Sequence, residues 1–170
     1  MPLHFAYGSN MIADAMAARC PGGKPLGLGR LVRHRFLVNA DGYATVVRDA
    51  RRIVWGLLWD IPLADMPALD RYEGVASGLY AKLVQPVLTG AGPRRALVFV
   101  GRSSDPGRPR PGYLEPVIAA ARAIGAPDAY LRELEAWLPS SRAATSPGHE
   151  ARAVRPLWSA PGTARGPKPA

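Results

Sequence analysis

The sequence has a single cysteine and no long apolar run. Cys20 stands alone among 170 residues, which excludes an intrachain disulfide and a multi-cysteine zinc site. No stretch of about 18 consecutive apolar residues occurs, so no transmembrane helix is predicted. The first residues lack a basic region followed by an apolar one, so we expect no signal peptide. These absences predict a cytoplasmic protein with no membrane partner.

Acidic residues are also few. The chain has 13 Asp or Glu against 22 Lys or Arg, a formal net charge of +9. Residues 140–170 carry five basic side chains against one acidic side chain. Almost all the basic residues are arginine, beside abundant alanine, proline and glycine, which is typical of a general compositional bias. Charge alone does not specify a partner, so nucleic acid is not an expected partner.

The length of the chain suits one domain with a sizeable core. After residue 138 the sequence is rich in Ser, Ala, Gly, Pro and Arg, and Val154, Leu157 and Trp158 are its main apolar residues. Such a composition contributes little to a packed core. We therefore predict a domain over residues 1–138 and a Pro/Ala/Arg-rich tail over residues 139–170.

The N-terminal segment predicts a strand, a turn and a helix. Residues 3–7 are apolar and are followed by Gly8, as expected of an inner strand. Asn10 is a suitable N-cap for a helix that continues to about Arg19. A turn of this kind can present backbone N–H groups to an anion.

The rest of the domain mixes strands with short helices. Apolar and β-branched patterns predict strands at residues 28–38, 44–48, 53–61, 79–88 and 95–100. We expect a charged turn at residues 49–52 to separate the second strand from the third. Helical spacing occurs at residues 63–72, 113–124 and 128–138. The pattern indicates an α+β fold.

Glu73 is the candidate catalytic residue. The spacing of Leu63, Met66, Leu69 and Tyr72 predicts a short amphipathic helix that ends at Glu73 and Gly74. Partial burial beside an aromatic residue would raise the pKa of this carboxyl toward neutrality, which suits a general acid and base. The alternative is a solvated glutamate at a helix end, which is its commoner role.

The other candidates also have plain structural alternatives. Gly8, Ser9 and Asn10 could serve only the turn and the helix cap, and the residues flanking Ser9 differ from those of a hydrolase nucleophile. Tyr113 could be an ordinary core residue. The three histidines lack ligand spacing, so no metal site is predicted.

Six segments, taken in their order, resemble the γ-glutamylcyclotransferase family over roughly residues 1–138. The set is more specific than any one member, because a Tyr-Gly-Ser-Asn tetrapeptide alone fits many strand-turn-helix units. The segments are FAYGSNM at 5–11, ATVV at 44–47, VWG at 54–56, LDRYEGV at 69–75, SGLY at 77–80 and YL at 113–114.

The resemblance implies a fold and a set of roles. It implies a mixed β-barrel-like sheet with flanking helices, and an enzyme that converts γ-glutamyl compounds to 5-oxoproline and a free amine or amino acid. Glu73 resembles the family's general acid/base, and Tyr113 resembles the tyrosine that closes its pocket. The implied substrate-binding segment comprises His4, Phe5, Ala6, Tyr7, Gly8, Ser9 and Asn10. His4 stands where an apolar or aromatic residue is expected, and the loop at 108–111 is unusually basic.

The chemistry follows from the substrate as well. A γ-glutamyl group carries its own nucleophile, the α-amine, so an enzyme has to fold the substrate and move protons. No metal or cofactor is then expected. The predicted partner is a small γ-glutamyl compound, and the protein is expected to be a monomer or a homodimer.

Two other functions stay open from the sequence. The same site could act on a larger γ-glutamyl amine or a glutathione-like peptide. A rival from a different class is a non-catalytic domain of the same fold that binds a small anion, or that binds nucleic acid through the basic tail.

Overall fold

The computed structural model describes residues 2–139. The strands are β1 (Leu3–Ala6), β2 (Lys24–Val38), β3 (Ala44–Asp60), β4 (Tyr80–Thr89) and β5 (Gly92–Gly101). The helices are α1 (Ala13–Arg19), α2 (Met66–Tyr72), α3 (Leu114–Ala123) and α4 (Asp128–Glu135), with a 3-10 helix at Ser9–Met11. Apart from Pro139, the predicted tail lies outside the described residues, so the boundary at 138 stays a prediction.

The five strands close into a barrel in the order β1, β3, β2, β4, β5. β1 runs parallel to β5, with His4 paired to Leu97, and the other neighbouring strands are antiparallel. Closure leaves no unpaired sheet edge between the first and last strands. The mixed barrel-like sheet and its helices confirm the predicted α+β fold.

The hairpin of β2 and β3 differs from its prediction. The structure has one strand at Ala44–Asp60, so the prediction of two separate strands joined by a turn is wrong. The ladder is nevertheless irregular where the turn was expected, because Val32 pairs with Ile53 and His34 pairs with Arg48. Residues 49–52 therefore bulge opposite a single residue, Arg33, and the strand continues through them.

This bulge also changes which residues of β2 face the core. Arg33 adopts a left-handed conformation, with φ of 59°. Leu31 is buried before it, whereas His34 and Phe36 are buried after it, so the alternation shifts by one residue. The left-handed conformation of Arg33 thus lets one long strand contribute to the core on both sides of the bulge.

The second hairpin and the last two helices confirm their predictions. β4 pairs with β5 from Tyr80–Gly101 to Thr89–Gly92 without a register shift. α3 and α4 lie within the predicted ranges, and α4 ends a little earlier than expected, at Glu135. Pro127 directly precedes α4 as its N-cap residue, with the extended backbone usual at that position.

The helices of the described residues are short, and each buries one side. Met16, Leu69, Leu114 and Leu134, one from each helix in order, are fully buried. Burial of such a side chain contributes about 1.5–3 kcal/mol relative to exposure. No helix within residues 2–139 has both the length and the apolar character needed to cross a bilayer.

Candidate functional site

Glu73 follows α2 directly, as the sequence predicts. Its N–H donates to the Leu69 carbonyl at 3.0 Å, which completes the last helical turn. Gly74 then adopts φ of 63°, a conformation that favours glycine and ends the helix. Of the four residues expected on one side of this helix, Met66 and Leu69 are buried, whereas Tyr72 is 49% exposed. Leu63 precedes α2 and is 74% exposed, so its predicted place in the helix is wrong. The sharp end of the helix leaves the Glu73 side chain half-buried.

The structure brings Glu73 together with the N-terminal loop. The Asn10 side-chain amide donates a hydrogen bond from Nδ2 to Glu73 Oε1 at 2.6 Å. Sixty-three residues separate the two in the sequence, so the contact is produced by packing of the 3-10 helix near the end of α2. Glu73 and residues 8–10 therefore lie in one place.

The predicted role of Asn10 as a helix cap is wrong. The side chain of Asn10 caps neither the 3-10 helix nor α1, and α1 begins after Ile12. Asn10 is instead buried, with its Oδ1 accepting from Arg19 Nη1 at 2.5 Å. Its backbone carbonyl accepts from the Trp59 indole N–H at 3.1 Å. The polar groups of this side chain are used for tertiary contacts, which compete with local capping.

The loop backbone keeps the predicted donors available. The N–H of Met11 donates to the Gly8 carbonyl at 2.9 Å, which forms the 3-10 turn. The N–H groups of Gly8, Ser9 and Asn10 donate to no other group within residues 2–139. These three donors precede the hydrogen-bonded part of the turn, where helical structures leave N–H groups without internal partners.

Tyr113 lies on the other side of this loop. Its hydroxyl accepts a hydrogen bond from the Ala44 N–H at 3.1 Å. A Cβ atom at Gly8 would stand 3.2 Å from this hydroxyl and 3.2 Å from Ala44 Cβ, so only glycine fits without displacement. The structure therefore brings Tyr113 next to the loop, as its predicted role requires.

Two further tyrosines lie near Glu73. Tyr80 donates from its hydroxyl to the Ala44 carbonyl at 2.7 Å, and Tyr7 donates to the Phe99 carbonyl. Burial raises the pKa of both phenols, and of Tyr113, so all three stay protonated at neutral pH. Tyr80 belongs to the SGLY segment of the motif resemblance.

The remaining predicted site residues lie in β1. His4 is buried and donates or accepts through both ring nitrogens, to the Leu97 carbonyl at 3.2 Å and to Asn10 Nδ2 at 3.3 Å. Phe5 is fully buried and lies under Gly29 and Gly56. Ala6 is buried beside Gly56. His4 thus reaches the Glu73 cluster through Asn10, whereas Phe5 packs in the core; a substrate contact for these residues stays a prediction.

Arg19 is a site residue that sequence reasoning missed. Its guanidinium carbon lies 3.4 Å from the centre of the Tyr72 ring, a cation–π geometry. Its Nη1 also donates to Ser9 Oγ at 3.4 Å, and Ser9 Oγ lies 3.1 Å from the Tyr72 hydroxyl. Arg19, Ser9 and Tyr72 therefore form a polar border beside Asn10. Residue spacing gave no signal for this cluster, because it joins the end of α1 to the end of α2.

The electrostatics of Glu73 suit proton transfer. Burial raises the pKa of Glu73 to about 7, with a smaller contribution from Asp70. The Asn10 hydrogen bond and the positive charge of Arg19 oppose this rise. The carboxyl is thus able both to accept and to release a proton near neutral pH, the property that a general acid and base needs.

A separate cleft lies away from this cluster. Its volume is about 830 Å³, and Leu3, Leu26, Leu28, Arg30, Trp55 and Leu58 are among the residues lining it. None of the predicted site residues lines this cleft. The catalytic assignment therefore rests on the contacts around Glu73 and draws nothing from this cleft.

Comparison with known proteins agrees with the motif resemblance. The model of the AIG2-like family matches residues 53–134. Human γ-glutamylcyclotransferase is 28% identical over 151 residues, covering 81% of this chain and 79% of the human protein. The mouse γ-glutamylcyclotransferase matches with the same identity and coverage.

Solved structures give the same result for the fold. A structure of a γ-glutamyl cyclotransferase superimposes with a TM-score of 0.74 at 24% identity, covering 91% of this chain and 94% of that chain. The sequence and structural comparisons together confirm the predicted resemblance: this chain is similar to the γ-glutamylcyclotransferases and has their fold.

Proposed function

We propose that this protein is a γ-glutamylcyclotransferase, which releases 5-oxoproline and a free amine or amino acid from a small γ-glutamyl compound. The observation that carries the proposal is the hydrogen bond between Asn10 and Glu73, which joins the candidate base to the loop that would hold the substrate. The similarity to curated γ-glutamylcyclotransferases supports it independently.

Glu73 would move the protons of the reaction. Its carboxylate takes a proton from the substrate's α-ammonium, and the freed amine attacks the γ-carbonyl carbon. Glu73 then gives the proton to the departing nitrogen, and the amide C–N bond breaks as the carbonyl re-forms. The ring nitrogen then releases its second proton to Glu73, which passes it to the departing amine. The five-membered lactam therefore leaves neutral, the amine leaves as an ammonium ion, and no water is consumed. A pKa of about 7 suits a group that takes both roles in turn.

The loop and Tyr113 would hold the substrate. The N–H groups of Gly8, Ser9 and Asn10 are suitable donors to the α-carboxylate. The Tyr113 hydroxyl accepts from Ala44, so its own hydrogen is available to a substrate oxygen, including the oxyanion that develops during attack. Holding the amine close to the γ-carbonyl can supply about 7–11 kcal/mol of the barrier reduction in favourable cases. Because the nucleophile is part of the substrate, the proposed reaction needs no cofactor.

The test is 5-oxoproline production by Glu73→Gln. Glutamine keeps the size of the side chain and can still bond to Asn10, but it carries no exchangeable carboxyl proton. We expect 5-oxoproline release from a panel of γ-glutamyl amines and dipeptides to fall about a hundredfold to ten-thousandfold.

The matched control is Glu115→Gln, the same change at an exposed position in α3. Glu115→Gln should keep wild-type activity. Turnover by Glu73→Gln close to that of the control would reject the proposed role of Glu73. A wild-type protein that binds the panel compounds without releasing 5-oxoproline would favour the non-catalytic anion-binding alternative.

A further inference from the structure

We propose that His4 and Arg19 are positioning residues that hold the Asn10 side-chain amide with its Nδ2 atom, and not its Oδ1 atom, directed at Glu73. The inference rests on the proposed function, because it concerns the same carboxyl group. It departs from the motif resemblance, since a histidine at position 4 replaces an apolar or aromatic residue.

The hydrogen bonds of His4 determine which atom it presents to Asn10. Its Nδ1 lies 3.2 Å from the Leu97 carbonyl oxygen, which can only accept, so Nδ1 carries the hydrogen. Burial lowers the pKa of His4 to about 4, so the ring is neutral at pH 7 and Nε2 is an acceptor. Nε2 lies 3.3 Å from Asn10 Nδ2. A neutral His4 therefore accepts a hydrogen bond from Asn10 Nδ2. It would not favour the flipped amide, in which Oδ1 and Nδ2 exchange places.

Arg19 imposes the same orientation through the amide oxygen. Its guanidinium has donors and no acceptor, and its Nη1 lies 2.5 Å from Asn10 Oδ1. The stacking on Tyr72 fixes the guanidinium in place. A flipped amide would direct its own N–H groups at Arg19. The two contacts together select one of the two amide orientations.

This orientation decides which form of Glu73 is stabilised. With Nδ2 toward Glu73, Asn10 spends one N–H on His4 and the other on the carboxylate. A donated hydrogen bond favours the charged carboxylate, the form that takes a proton from the substrate. In the flipped orientation Oδ1 would face the carboxylate and favour the protonated acid. His4 and Arg19 would therefore keep part of Glu73 ionised despite its burial.

Other groups around Glu73 do not set the amide orientation. The charged groups that act on Glu73 are Arg19 and Asp70, and the charge of Glu73 in turn raises the pKa of the neighbouring phenols of Tyr7, Tyr80 and Tyr113. Tyr72 joins this set through its contact with Arg19. Of these groups, Arg19 alone bonds to the Asn10 amide. Changes at His4 thus test the amide without altering a charge.

The experiment is a titration of Glu73 by ¹³C NMR of selectively labelled glutamate carboxyls. The chain has only five glutamates, and Glu73→Gln identifies the resonance. His4→Phe keeps an aromatic ring against Phe99, which His4 contacts edge-on at 5.3 Å, but it removes the acceptor for Asn10. We expect the pKa of Glu73 to rise by about half a unit or more. The acid limb of the pH profile of kcat/KM should move by the same amount.

The matched control is His34→Phe. His34 is also buried, and its Nδ1 bonds to the Val32 carbonyl of the same strand, outside the Glu73 cluster. The His34→Phe variant should leave the Glu73 titration unchanged. A His4→Phe protein that melts cooperatively and titrates like the wild type would overturn the role of His4, whatever its activity.

Arg19 needs a coupling measurement, because Arg19→Met also removes a positive charge. If both residues act through one amide, either single change already releases it, so the shift in the double variant should fall short of the sum of the single shifts. Additive shifts would overturn the positioning role of Arg19 and leave only its charge. Since the titration is read without substrate, it separates failure of this inference from failure of the proposed reaction.

Discussion

The Tyr113 hydroxyl and the backbone of Gly8 lie so close that a Cβ atom at Gly8 would stand 3.2 Å from the phenol oxygen. Tyr113 immediately precedes α3, whereas Gly8 begins the 3-10 turn after β1. The Tyr113 phenol thus lies against the loop at Gly8, and Glu73 contacts the loop at Asn10. Four predictions follow from this arrangement and from the electrostatics of Glu73.

The activity should rise with pH through neutrality. Burial raises the pKa of Glu73 to about 7, and the first proton transfer needs the carboxylate. Below pH 7 the ionised fraction, and with it kcat/KM, should fall about tenfold per pH unit. A kcat/KM profile between pH 5 and 8 measures this limb. A limb with its midpoint near pH 4.5 would contradict a raised pKa of Glu73.

The stability of the fold should show the opposite trend. The pKa of Glu73 is raised from 4.5 to about 7 in the folded protein, so folding favours the protonated carboxyl. Its contribution is fully present below pH 4.5 and is lost as the pH rises through 7. Glu73→Gln removes this dependence and should gain up to roughly 3 kcal/mol over the wild type between pH 4.5 and pH 8. Urea unfolding of both proteins at the two pH values measures the difference, and a constant difference would exclude a raised pKa.

Tyr113→Phe should affect both activity and stability. The Ala44 N–H loses its acceptor, which costs about 1–3 kcal/mol of unfolding free energy if no water replaces it. Loss of the donor to a substrate oxygen should lower kcat/KM by at least about tenfold. Tyr43→Phe is the control, because this ring stacks edge-on against Tyr113 at 5.2 Å without bonding to Ala44. Equal kinetics for the two variants would argue against a substrate contact of Tyr113.

Gly8→Ala should push the loop away from Tyr113. The added methyl group meets both the phenol oxygen and Ala44 Cβ at 3.2 Å, and a small displacement of a binding loop can cost about tenfold or more in kcat/KM. Gly90→Ala, where a Cβ would meet nothing within 4 Å, is the control. In the double variant Gly8→Ala/Tyr113→Phe the phenol oxygen is gone, so the two losses should be less than additive. Fully additive losses of kcat/KM would show that Gly8→Ala does not act through the Tyr113 hydroxyl.

Much of the fold was predictable because its signals are local. The hairpin of β4 and β5 follows from two apolar runs around a glycine-rich turn, and Glu73 at the end of α2 follows from helical spacing and Gly74. The strand β3 was split wrongly, because Asp49, Arg51 and Arg52 have the composition of a turn. In the structure these residues form a bulge that the long partner strand supports.

The candidate site was predictable in its main members but not in its connections. The motif resemblance named Glu73 and the loop at 7–10, whereas the contact of Asn10 with Glu73 depends on how α1 and α2 pack. Local preference favoured Asn10 as a cap, and tertiary hydrogen bonds to Arg19 and Glu73 prevailed. His4 was recognised as a departure from the family pattern. Its hydrogen-bond acceptor, the Leu97 carbonyl, could be identified only from the pairing of β1 with β5.

Trp59 gives this loop an intrinsic fluorophore. Its indole N–H bonds to the Asn10 carbonyl at 3.1 Å, and the side chain is almost fully buried. Any ligand that displaces Asn10 alters the polarity and hydrogen bonding of that indole. Emission from position 59, compared with a Trp59→Phe protein, therefore gives an optical signal of occupancy that needs no turnover and no added label.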